Sequence, residues 1–298
     1  MKALAIPIIG TMLIVVAVVM LFLYFNGTVF MERSTMEKGE TALSLSHDVE
    51  LVRKMIQTSV ESVGQRAAYE LGNEGGGYTE WNSTSPIVTD IQEMLRDRMV
   101  SLMGYGEIVL SNSRTLTLDL PIISVDTPLH PCRTPDQSIC FLVTGYQPFV
   151  LKDDYLLATA SANATLSEDK LPKMISTSYF RLVYVGQLLA TATEADVMNG
   201  YNGKPGLNSL TDYSDEAAVT KIITDVTNEL RSSFASSWSG LNFEVSSINW
   251  NDKIATTAWQ IRDENSLAPI KDSETKVCSA TPKGLDCLHL NFMVKVHA

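Results

Sequence analysis

Four cysteines stand in two close pairs, Cys132 and Cys140 in CRTPDQSIC and Cys278 and Cys287 in CSATPKGLDC, eight and nine positions apart. Cysteines that share a zinc ion usually stand roughly two to four positions apart within a pair. Two local disulfides, Cys132 to Cys140 and Cys278 to Cys287, therefore fit better than a site built from four thiolates. A loop of this size closed by a disulfide stabilises a fold by about 2.5 kcal/mol in the chain-entropy description. Sequons at Asn82 (NST) and Asn163 (NAT) agree with the disulfides in pointing to an oxidising, glycosylation-competent exterior. A third sequon, NGT at Asn26, adjoins an apolar run and reads as incidental.

The remaining reactive residue types form no constellation. His47, His130, His289 and His297 are scattered. His289 and His297, with Lys295, alternate on what reads as the solvated face of a strand rather than a metal site. Asp153 and Asp154 are adjacent, so in a strand they point to opposite faces, which is poor geometry for an acid–base pair. The acidic, glycine-rich stretch EADVMNGYNGKPGLNSLTDYSDE misses the EF-hand spacing and reads as a surface loop. No G-x-S-x-G, P-loop or H-E-x-x-H pattern occurs. The expectation is a protein that is not an enzyme, with no cofactor and no metal.

The elements that carry these residues follow an apolar start. Lys2 is the only charged residue before Glu32. The uncharged stretch Ala3–Met31 exceeds the roughly 20 residues needed to cross hydrocarbon. Leu, Ile, Val and Phe occupy 14 positions between Leu4 and Phe25, and together they favour insertion by on the order of 4 to 8 kcal/mol. Bulky residues in LFLYFNGTVFMER replace the small-x-small site of a cleavable secretory peptide. The rest is acidic, with a net charge of −11 and a pI near 4.8, which argues against nucleic-acid binding.

Apolar residues at Leu45, Val49, Val52, Ile56, Val60, Val63, Ala67 and Leu71 recur in steps of three and four, which predicts one amphipathic helix. Gly72 is its expected cap, followed by the glycine-rich loop GNEGGGYTEWNSTS. A second helix is predicted over SPIVTDIQEMLRDRMVSLM, then strands at RTLTLDLPI, CFLVTGYQPFVL and DDYLLATASANAT. The order recurs in SYFRLVYVGQLLATATEADVMNG, a glycine-rich loop, AVTKIITDVTNELRSSF and the strands to CLHLNFMVKVH, although Phe180, Leu182 and Tyr184 also alternate as a strand would. The expected fold class is α+β: a long N-terminal membrane or filament-core helix, then an extracellular head of two duplicated α+β lobes, each with antiparallel strands and one local disulfide. The expected divisions are an apolar helix over 1–31, its amphipathic continuation over 32–72, a first lobe over 46–165 that shares this helix, and a second over 166–298.

The segment KALAIPIIGTMLIVVAVVML resembles the N-terminus of archaeal type IV pilins, with Pro7, Ile8, Ile9, Gly10 and Thr11 carrying the match to an S-P-V-I-G-T-like start. The resemblance covers only about the first 25 residues. It implies a prepilin peptidase cutting between Ala3 and Leu4, a pilus assembly machinery, and a helical homopolymer in which Pro7, Gly10, Ala17, Phe22 and Phe25 belong to the core helix. Gly10 and Ala17 lie on one helix face, where small residues permit close approach. The function expected is a filament subunit, held in the cytoplasmic membrane before assembly and extracellular or at the cell surface afterwards, with an acidic head for adhesion. The alternative is a single-pass, signal-anchored surface ectodomain that does not polymerise.

Overall fold

The computed structural model describes residues 43–111, 113–126, 140–154, 158–166, 171–210, 213, 215–271 and 274–298. The first helix, α1, occupies 43–73 and buries Leu45, Val52, Ile56, Val60, Ala67 and Leu71 along one face. A 3-10 turn at Gly75–Gly77 leads to α2, Val88–Met103, which buries Ile91, Leu95 and Met99. Six strands follow: β1 Gly106–Val109, β2 Arg114–Leu118, β3 Ile122–Asp126, β4 Cys140–Asp153, β5 Ala158–Thr165 and β6 Lys173–Ser176. The long β4 organises this antiparallel sheet. Its first half pairs with β3 on one side and β6 on the other, its second half with β2 and β5, and β1 joins the outer edge of β2.

Helix α3, Tyr179–Asn199, is buried around most of its circumference. A short hairpin, β7 Gly200–Tyr201 and β8 Lys204–Pro205, turns through Asn202 and Gly203, both at positive φ, the conformation a two-residue turn of this kind requires. Helix α4, Glu216–Ser237, begins where Asp215 Oδ1 accepts from the Ala218 amide at 3.2 Å, an N-cap. A three-stranded antiparallel meander completes the chain: β9 Leu241–Asn251, β10 Ile254–Pro269 and β11 Leu285–His297. Helix α2 packs on β3, α4 on β9 and α3 on β11. Helix α1 reaches β5 and β6 through Arg53 Nε to the Asn163 carbonyl, 3.3 Å, and Gln65 Nε2 to the Ser176 carbonyl, 3.4 Å.

The fold is α+β and mostly sheet, but the expected fold class needs correction. No helix among the described residues is long and apolar enough to cross a membrane, and the first described helix starts at residue 43. The residues assigned to a filament core, Pro7, Gly10, Ala17, Phe22 and Phe25, and to cleavage, Ala3 and Leu4, lie outside the described residues. Each half of the described chain carries one antiparallel sheet, β1–β6 and β9–β11. The buried residues of both halves form one continuous core. Strand β6 lies beyond residue 165 yet pairs with β4 in the first sheet, and the C-terminal end of α1 packs on β11 of the second. Cys140 opens β4, the central strand of its sheet, and Cys287 lies near the start of β11, the outer strand of its own.

Candidate functional site

Strand β11 is the outer strand of its three-stranded sheet, and residues 72–81 run along its free edge. A Cβ on Gly72 would collide with the His289 carbonyl, and one on Gly75 would stand 2.8 Å from the Asn291 carbonyl. Glycine at both positions lets the backbones approach. Trp81 then donates its amide to the Met293 carbonyl at 2.7 Å and bridges Val294 in parallel. Its indole stacks on Phe292 at 4.6 Å between ring centres and donates from Nε1 to the Gly75 carbonyl at 2.9 Å. Gly72 is thus a packing glycine inside the last turn of α1, not the cap that the sequence suggested.

Beneath this junction lies a buried polar knot. Asp286 is fully buried, and its carboxylate accepts from the amides of Val277 at 2.7 Å, Cys278 at 2.9 Å and Cys287 at 2.8 Å, and from the Tyr69 hydroxyl at 3.0 Å. Burial first, then the Asp286 carboxylate, pushes the Tyr69 hydroxyl up to about 12. Cys278 and Cys287 are disulfide-bonded, with Cα atoms 5.7 Å apart, as their spacing suggested. Although Cys278, Asp286 and Cys287 gather ligand-type atoms, both sulfurs are used in the disulfide and the carboxylate's lone pairs are taken by four donors. This is a clamp on the hairpin, not a vacant metal site. Cys140 is buried and disulfide-bonded; Cys132, like His130 and Asn26, lies outside the described residues.

His289 corrects the reading of the last strand. It is fully buried, because α3 covers one face of β11 and the end of α1 covers the other. Its ring meets Tyr69 edge-on, Nε2 lies 2.6 Å from Asn73 Oδ1, and Nδ1 lies 3.2 Å from the Cys287 carbonyl. Burial outweighs the neighbouring carbonyl and Asp286, and holds the imidazole below its ordinary value. Outside the knot, Arg66 pairs with both Glu274 and Glu70, lies 5.5 Å over the Tyr69 ring, and is raised chiefly by its hydrogen bonds to Glu274. The same bonds hold the Glu274 carboxyl below its usual range. Asp153 and Asp154 diverge as expected of strand neighbours: Asp153 is buried against Arg114, and Asp154 faces Lys152.

A cleft of about 330 Å³ opens beside the junction, lined by Asn73, Glu74, Tyr78, Ser246, Asn291 and Met293. The titratable groups nearest it are committed elsewhere: Tyr78 donates to Asp90 at 2.8 Å and Glu74 accepts from Arg98. No nucleophile among the described residues faces a base across it. The arrangement fastens the end of α1 and residues 72–81 to β11 and to the 277–287 hairpin. Asn73, Tyr69, Asp286 and the Arg66–Glu274 pair were not legible in the sequence, since each acts on a residue about 200 positions away. Comparison with protein-family models, with curated proteins and with solved structures finds no match.

Proposed function

We propose that this chain is a structural subunit of an extracellular, type IV pilus-like filament, inserted in the cytoplasmic membrane before assembly and polymerising through its apolar N-terminal run. The observation that carries this reading is the distribution of apolar surface along α1. Leu43, Leu51 and Met55 are 73%, 52% and 62% exposed near its start, whereas Thr58 and Ser62 occupy the same outward sector one to two turns on. Apolar surface exposed on the side that follows an uncharged run of residues 3–31 suits burial against neighbouring copies. The disulfide clamp and the cross-braced sheets give the head the stiffness a filament subunit needs outside the cell. The test is electron microscopy of material sheared from the producing cells, with the chain identified by peptide mapping. Filaments that contain it are expected. Protein found wholly as detergent-soluble monomer would overturn the reading in favour of an anchored surface ectodomain.

A further inference from the structure

Two sequons occur within the described residues, and the fold treats them differently. The first lies in the turn after Trp81. Asn82 Oδ1 accepts from the Thr84 amide and from Thr84 Oγ1, both at 2.9 Å, and the backbone closes through Asn82 N to the Ser85 carbonyl at 3.0 Å. Ser83 and Thr84 are exposed. The bend brings the hydroxyl two residues on to the amide, and no acceptor among the described residues engages Asn82 Nδ2. The second sequon is extended. Asn163 lies in β5 opposite Pro148 of β4, so Asn163 and Thr165 are separated along a strand at about 3.3 Å per residue. Its parts are also held by α1: the Asn163 carbonyl accepts from Arg53 Nε at 3.3 Å and Thr165 Oγ1 accepts from Gln57 Nε2 at 3.1 Å.

From this contrast we propose that Asn82, and not Asn163, is the glycan acceptor of the folded protein. The donor class is a glycosyl phospholipid, with the sugar linked through its anomeric carbon to phosphate. Asn82 Nδ2 forms the new bond to that carbon, the carbon–oxygen bond to phosphate breaks with its electron pair leaving on the phosphate, and one Nδ2 proton passes to a base of the transferase. A transferase must enclose the bent acceptor from several sides. The turn at 82–85, half-buried at Asn82 and exposed at Ser83 and Thr84, permits this. Residues 163–165 do not, because freeing them means stripping β5 from β4 and from α1. The proposal rests on the extracellular placement of the head, not on polymerisation.

Full-length protein from its own cells, taken from both sheared and membrane fractions, tests it by glycopeptide mass spectrometry. Cleavage after Lys and Arg separates the sequons into peptides 67–96 and 153–170. The expected result is a sugar mass on 67–96 and none on 153–170. Asn82→Gln and Thr84→Ala should each abolish the added mass, while Asn163→Gln and Ser83→Ala should leave it intact. A bare 67–96 peptide, or a modified 153–170 peptide, overturns the proposal. Either outcome is read independently of whether the protein is found in filaments, so it leaves the filament reading to its own test.

Discussion

At the scale of single residues, the side chains that matter most are those whose polar atoms are satisfied far from water. Asp286 and His289 are both fully buried, and each is tolerated because neighbours supply its hydrogen bonds. The lowered value of His289 has a pH consequence. In the unfolded chain a histidine titrates near 6.5, whereas burial keeps the folded imidazole neutral to lower pH. The unfolded state therefore binds the proton first, and stability is fully present above about pH 6.5 and falls as pH drops below it. Urea midpoints measured between pH 7.5 and 5 are expected to decline in the native protein and to stay flatter in His289→Gln. The Glu274 carboxyl, held low by Arg66, adds a second loss only below about pH 4.5, the ordinary carboxyl range. A separate expectation concerns the clamp: replacing Cys278 and Cys287 together by serine should cost about 2.5 kcal/mol in chemical denaturation. An unchanged midpoint would show that the Asp286 hydrogen bonds alone hold the hairpin.

At the scale of elements, α1 has two faces that mutation can separate. Leu71, buried on the inward face of α1, should cost about 2–5 kcal/mol when replaced by alanine. Leu51→Ala, on the exposed side of α1, should stay within about 0.5 kcal/mol, and comparing the two melts tests the assignment of faces. The period of three and four made 43–71 legible as helix, and likewise α2 and α4, because each is apolar on one side only. Helix α3 was ambiguous. It is wrapped by β11, α4 and the Trp81 indole, so apolar residues fall all around it and the period carries less information. Strand β11 misled in the opposite sense. Its polar alternation is real, yet α1 returns to cover the His289 face, and contact between residues about 216 positions apart leaves no local trace in a single sequence. The Cys278–Cys287 link was legible because both partners lie within one hairpin.

At the scale of the whole molecule, the balance of charge decides how copies can meet. The chain carries 34 acidic and 23 basic residues, and many of the cations are already committed within the head: Arg66 to Glu274, Arg98 to Glu74, Arg114 to Asp48 and Asp153, and Lys295 to Glu80. In the proposed filament, neighbouring heads would therefore face one another across an acidic excess, and ion pairs between copies would be a poor source of cohesion. If the filament is held by the apolar run and the exposed start of α1, cohesion and repulsion respond differently to salt. Screening reaches about 30 Å at 0.01 M and contracts to about 3 Å at 1 M, while burial of apolar surface is not weakened by screening. Filaments are thus expected to pellet intact at about 1 M salt and to shed subunits at about 0.01 M. Leu51→Glu should shift that threshold to higher salt, since it adds another negative charge in the contact itself, while leaving the melting of the isolated head nearly unchanged. A filament held by salt bridges between heads would behave in the reverse way, loosening as salt rises, and that result would move the assembling surface from α1 to the acidic faces of the head.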